Sequence, residues 1–231
     1  MVEKIYLYDT TLRDGQQTQG VQFSFADKVK IATMLDELGI DHIEGGWPGA
    51  NPTDSEFFEH PPKLAARLTA FGMTKRVGRS AENDDVLAGV INAKTKSVCL
   101  VGKTHDYHVT CALGVSLDEN LENITASIAY LVTLGREALF DAEHFFDGYM
   151  ANKSYALACV MAAYKAGARW IVLCDTNGGR LPAEIGRITA EVIAQGIDGA
   201  RLGIHCHDDT GHAVAKTLAA IDAGARQVQG T

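Results

Sequence analysis

RLGIHCHDDTGHAV, residues 201–214, reads as a strand that ends in two histidines and turns at once into a helix. Alternate side chains of a strand share a face, so His205 and His207 point one way and Cys206 the other. The helix continues to about residue 223, and RQVQG (226–230) reads as the next strand. The stretch therefore predicts a strand–helix–strand unit with a pair of imidazoles at one strand end.

The same alternation runs outward along the chain. Strands are predicted at 4–10, 41–46, 67–73, 96–102, 137–143, 169–176, 201–207 and 226–230, each short, rich in Val, Ile, Leu or aromatic residues and bounded by turn residues. Helices are predicted at 24–38 and near 53–66, 82–93, 117–134, 151–166, 181–195 and 211–223. In the first, Ser24 and Asp27 suit a capping box, Ile31, Met34, Leu35 and Leu38 form an apolar face, and Gly39 suits a stop. KAGARWI (165–171) resembles DAGARQV (222–228) at an offset of 57 residues, two units of about 28. Eight such units fill the chain, which predicts an α/β fold of the (β/α)8 TIM-barrel type. A doubly wound sheet usually carries G-x-G-x-x-G after its first strand, and none follows residue 10. The chain stops at Thr231, so the barrel is expected to be truncated after its eighth strand. Residues 1–231 then form one catalytic barrel domain with an apolar flank uncovered, a fragment of a longer protein.

Composition narrows the partners. The net charge is −8, from 21 basic and 29 acidic residues, with no basic stripe, so no nucleic-acid partner is expected. The longest apolar run, ALACVMAAY at 156–164, is far short of a membrane span, and the N-terminus lacks a signal sequence. Five cysteines without C-x-x-C spacing argue against a disulfide scaffold or a thiolate zinc site. A cytoplasmic protein is expected. Cys174 and Cys206 are read as strand residues packing under helices.

Barrel active sites sit at the C-terminal strand ends. There His205 and His207 suit a divalent metal, or read as solvated loop histidines. Strand one ends in Asp9, Arg13 and Asp14, where RDG also reads as a turn with a charged pair. Strand two ends in Glu44 and a Gly/Pro-rich loop. Strand five aims Asp141 and Glu143 at the same mouth, or pairs them with Arg13 or a lysine. Strand six ends in Thr176, with Asp175 and Asn177 as turn or cap residues. His105 and His108 either line the mouth or make loop contacts. Four strand ends delivering Asp, Glu, Thr and His-x-His point to a metal-assisted lyase or carbon–carbon bond enzyme acting on a small oxyacid.

DTTLRDGQQ (9–17), IEGGWPGANPTDSEFF (43–58), FDAEHFFDGY (140–149), LCDTNGG (173–179) and GIHCHDDTGHAVAKTLAAIDAGARQVQGT (203–231) resemble the catalytic barrel of the 2-isopropylmalate, homocitrate and citramalate synthase family, whose relatives include hydroxymethylglutaryl-CoA lyase-like enzymes. The resemblance covers nearly the whole chain, and its 43–58 and 140–149 blocks look most like the citramalate synthase branch. It implies Asp14, His205 and His207 as ligands of a divalent metal (Zn2+, Mn2+ or Mg2+). It implies Arg13 as the oxyanion-steadying and substrate-binding arginine, Gln17 and Thr176 as keto-acid contacts, and Glu143 as the catalytic carboxylate near the acetyl-CoA methyl group. The implied reaction is a Claisen-type condensation of acetyl-CoA with a 2-keto acid, pyruvate giving citramalate, in branched-chain amino-acid biosynthesis. A homodimer is also implied.

The sequence departs from the family in three places. Asp208-Asp209 replaces the usual Asn-Asp, and Asp141 stands where relatives often carry a small polar or aromatic residue. The family's GERxGN segment, with an Asn that is a further candidate ligand, and its regulatory region fall beyond Thr231. Alternative readings are a larger keto acid, a metal-dependent aldolase or lyase of the same barrel, a metal-dependent hydrolase, and an inactive fragment or binding domain.

Overall fold

The structure, a computed structural model, describes residues 3–231. Eight parallel strands close into a barrel in chain order, β1 pairing with both β2 and β8. They are β1 (Tyr6–Asp9), β2 (His42–Gly46), β3 (Arg67–Met73), β4 (Ser97–Lys103), β5 (Glu137–Glu143), β6 (Trp170–Asp175), β7 (Leu202–Cys206) and β8 (Gln227–Gly230). The helices are α1 (Phe25–Leu38), α2 (Pro52–Glu59), α3 (Asp85–Asn92), α4 (Leu117–Thr133), α5 (Phe145–Ala151), α6 (Lys153–Lys165), α7 (Pro182–Ala194) and α8 (Ala213–Asp222). The predicted (β/α)8 architecture is present, with every strand within two residues of its expected position.

The barrel interior is filled by inward side chains, as its narrow bore requires. Tyr8, Phe71, Cys99, Leu139, Trp170, Val172 and Cys174 form that inner core. Cys174 therefore points into the barrel and not under a helix, whereas Cys206 packs outward against the sheet–helix core. The parity follows from strand alternation: 172, 174 and 176 share one face, 204 and 206 the other.

Several helices differ from their sequence expectation. α2 ends at Glu59, because the prolines at 61 and 62 cannot continue the helix predicted to residue 66. The short α5 was not foreseen; Phe145, Phe146 and Tyr149 are buried all along it, and His144 enters it with a left-handed φ of 56°. A π-helical turn at His108–Leu113 was also missed. On α1 the capping box forms, with Ser24 N donating to Asp27 Oδ2 (2.9 Å) and Asp27 N to Ser24 Oγ (3.2 Å). Its buried residues, however, are Lys28 and Ala32, while Met34 and Leu38 are exposed.

Lys28 explains that rotation. Its ammonium donates to Leu12 O (2.9 Å) and Gly45 O (3.0 Å) and pairs with Asp54, tying the end of β1 to β2 and α2. Gly46 makes room: at φ 136°, a Cβ there would sit 2.5 Å from the Asp54 carboxyl carbon. On the opposite flank Leu7 of β1 and Val214 and Leu218 of α8 are exposed, which is where an apolar flank was expected.

Candidate active site

The C-terminal strand ends surround a cavity of about 250 Å3. Arg13, Asp14, Gln17, Glu143, Thr176, His205 and His207 all line it, so the structure brings together the seven residues to which the family resemblance assigns roles. The hydrophobic parts of its wall are Trp47, Phe71, Met73 and Val101, together with Cys174.

Asp14 follows β1 in the turn that delivers it over the mouth. Its Oδ2 lies 3.2 Å from His205 Nε2 and 3.8 Å from His207 Nε2. One ligand atom from each of the three falls within 4.8 Å of the others, which suits a shared cation. Burial opposes ionisation of Asp14, but the His205 hydrogen bond and the charges of Arg13 and both imidazoles hold its carboxyl down to about 2. His205 sits above the ordinary histidine value: burial opposes the cation, and Asp14 and Asp141 outweigh it. His207 sits below it, through burial and the neighbouring His205 charge.

Arg13 is held on three sides. Nε donates to Glu44 Oε1 (2.5 Å), Nη1 donates to Asp14 Oδ1 (3.0 Å), and the guanidinium carbon lies 4.0 Å from the Phe71 ring centroid. Glu44 is fully buried beneath it and also accepts from the Tyr8 hydroxyl (2.5 Å). Burial pushes Glu44 and Asp141 up; Arg13 pulls both back, and His205 also pulls Asp141 down. Glu143 pairs with Lys103 at the end of β4. Thr176 Oγ1 accepts the backbone N–H of His144 (2.8 Å).

Other strand-end residues are structural. Asp9 accepts from Thr11 N (2.9 Å) and Thr11 Oγ1 (3.1 Å), a turn and not a ligand. Asp175 is buried against Lys216, and Asn177 donates to Asp147 (2.6 Å). Asp208 Oδ1 accepts from Ala213 N (2.8 Å), so the first of the two adjacent aspartates caps α8. His105 and His108 lie outside the cavity lining, their rings 4.9 Å apart, with His144 4.4 Å from His108.

Sequence reading passed over Lys103, Lys216 and Gln229. The signal for Lys103 was parity with Val101, one residue past the predicted strand end. For Gln229 it was alternation with Gln227 inside a strand whose inward face should be apolar. The donor set around the mouth also fits a divalent cation. Among the described residues, four carboxylates, Asp14, Glu44, Asp141 and Glu143, face two permanent cations, Arg13 and Lys103. Two imidazole nitrogens complete a set suited to such an ion.

This geometry defines a (β/α)8 barrel with a two-histidine–carboxylate cluster at its C-terminal mouth. Residues 4–231 match the HMGL-like family, and the chain belongs to it. It is 52% identical to (R)-citramalate synthase of Aquifex aeolicus over 100% of this chain and 44% of that enzyme. It is 34% identical to 2-isopropylmalate synthase of Caulobacter vibrioides over 98% of this chain and 43% of that enzyme. The chain thus spans less than half the length of these curated relatives. An HMG-CoA lyase of Acinetobacter baumannii, solved with coenzyme A and 3-methylmalate, superposes with a TM-score of 0.80 at 19% identity, covering 98% of this chain and 74% of that one.

Proposed function

We propose that this chain is the catalytic barrel of an acyltransferase that condenses acetyl-CoA with a 2-keto acid, pyruvate, the resulting thioester then being hydrolysed by water to give citramalate and free CoA. The observation that carries the reading is the convergence of seven sequence-predicted residues on one cavity, with Asp14, His205 and His207 within 4.8 Å. The similarity to (R)-citramalate synthases supports pyruvate over larger keto acids.

Asp14, His205 and His207 would hold the divalent metal. When bound, such a metal supplies Lewis-acid polarisation of a keto carbonyl. Arg13 keeps Nη2 without an acceptor among the described residues, free to donate to the oxygen that gains charge as the carbon–carbon bond forms. Thr176 uses its lone pair on His144 N, so its hydroxyl proton is free for the keto-acid carboxylate. Gln17 lies at the cavity edge as a second polar contact. Glu143 takes the proton from the acetyl methyl group, with Lys103 holding its carboxylate in place. A neighbouring groove of about 430 Å3 shares Trp47, Met73, Val101, Lys103 and Glu143 with the cavity. It gives the acyl-CoA arm a route to Glu143 that leaves the keto-acid pocket free.

The test is release of free CoA thiol from acetyl-CoA with Mn2+, comparing pyruvate, 2-ketoisovalerate and 2-ketoglutarate, on this chain. Pyruvate-dependent release is expected. Release only with a larger keto acid would overturn the substrate, and release with none would overturn the reaction.

A further inference from the structure

His205 can offer Nε2 to a cation only if its proton sits on Nδ1, and the residues behind the ring decide that. Nδ1 lies 2.9 Å from Gln229 Oε1 on the neighbouring strand, where the two residues are register partners. The other end of the same amide, Nε2, lies 3.2 Å from Asp141 Oδ1 and 3.4 Å from Gln227 Oε1. An amide has one accepting and one donating end, and a carboxylate only accepts. Asp141 therefore draws the NH2 group of Gln229 toward itself and leaves the carbonyl oxygen for His205. That oxygen can only accept, so the imidazole donates through Nδ1, and Nε2, 3.2 Å from Asp14 Oδ2, is the nitrogen on which a cation would take the place of a proton. His205, Asp141 and Gln229 are 7%, 3% and 3% exposed, so each is largely shut off from solvent.

We propose that Asp141 and Gln229 are positioning residues for the metal site: Asp141 sets the direction of the Gln229 amide, and Gln229 sets the tautomer of His205. The consequence for metal affinity rests on the metal reading above; the hydrogen-bond relay does not.

Two readouts test it in the intact chain: the 1H–15N spectrum of the His205 imidazole in the metal-free protein, and the Mn2+ dissociation constant. A slowly exchanging Nδ1–H resonance is expected in the parent. Asp141→Asn lets the amide turn round; the resonance should vanish and Mn2+ affinity should fall 10–100-fold. Adding Gln229→Glu should restore both, because a carboxylate accepts from the imidazole and from Asn Nδ2 at once. If Asp141→Asn does not fold, Gln229→Leu carries the same expected losses. A parent without the Nδ1–H resonance, a first variant that keeps it, or a folded double variant that does not recover it would overturn the relay. A parent that shows the resonance and all its responses but binds no Mn2+ would leave the relay standing and remove the metal reading.

Discussion

The ammonium group of Lys216, fully buried on α8, lies 2.7 Å from Asp175 Oδ2 at the end of β6. It also donates to Gly178 O (2.8 Å) and to the carbonyl of His207 (3.0 Å). Lys28 does the equivalent work across the mouth, on the carbonyls that precede Arg13 and follow Glu44. Each lysine spends all three donors on the backbone and carboxylate that frame the site, so neither is a spare catalytic cation.

Removing Lys216 strands a buried carboxylate. Lys216→Met is expected to lower stability by about 3–5 kcal/mol, because Asp175 keeps its burial and loses its partner. Adding Asp175→Leu should recover most of that loss, since no charge is then left unpaired. Urea denaturation of the parent and both variants checks it; a single variant within about 1 kcal/mol of the parent would contradict the pairing.

The three-residue cluster makes a sharper claim about metal. Asp14→Asn and His207→Ala are each expected to weaken Mn2+ binding at least tenfold, whereas His105→Ala, outside the cavity, should leave it within twofold. Calorimetric titration of the metal-free chain distinguishes these outcomes. Equal loss in all three variants would mean that the ion binds elsewhere.

Arg13 should matter to turnover more than to metal. A lysine at this position cannot keep the Glu44 and Asp14 contacts together or stack on Phe71, and it would present one point charge. Arg13→Lys is expected to reduce kcat by about 100–1000-fold in the acetyl-CoA assay while Mn2+ affinity stays within a few fold. A variant that loses metal and rate in proportion would reassign Arg13 to holding Asp14.

The fold and the polar strand ends were legible because both are written in local patterns, whereas Gln17 and the roles of the seven site residues came from the family resemblance. Strand alternation put His205 with His207 and Asp141 with Glu143, and barrel geometry brought their ends together. What escaped depends on tertiary partners. Lys28 and Lys216 look like solvated helix residues until Asp54 and Asp175 are packed against them. Met34 and Leu38 look like core until Lys28 takes the inward position on α1. The short α5 has no periodicity to detect, because its aromatic residues are buried on most sides.

At the other end of the barrel, acid should act through His42. The imidazole is 2% exposed, stacks on Tyr8 with ring centroids 5.7 Å apart, and shares a 2.8 Å hydrogen bond with Glu137. Burial, then the nearby Arg67 charge, pushes its pKa from 6.5 down to about 4. The unfolded chain therefore takes up a proton first as pH falls, so this contribution to stability is full above about 6.5 and shrinks toward pH 4. At its limit it is worth about 3 kcal/mol. His42→Gln keeps a donor for Glu137 but cannot titrate, so the stability advantage of the parent over the variant should shrink by that order between pH 7 and pH 4. Denaturant midpoints for both proteins across this range provide the measurement. A gap that stays constant with pH would show that His42 takes up its proton equally in the folded and unfolded chain, and a gap that widens as pH falls would show that Glu137, not burial, governs it.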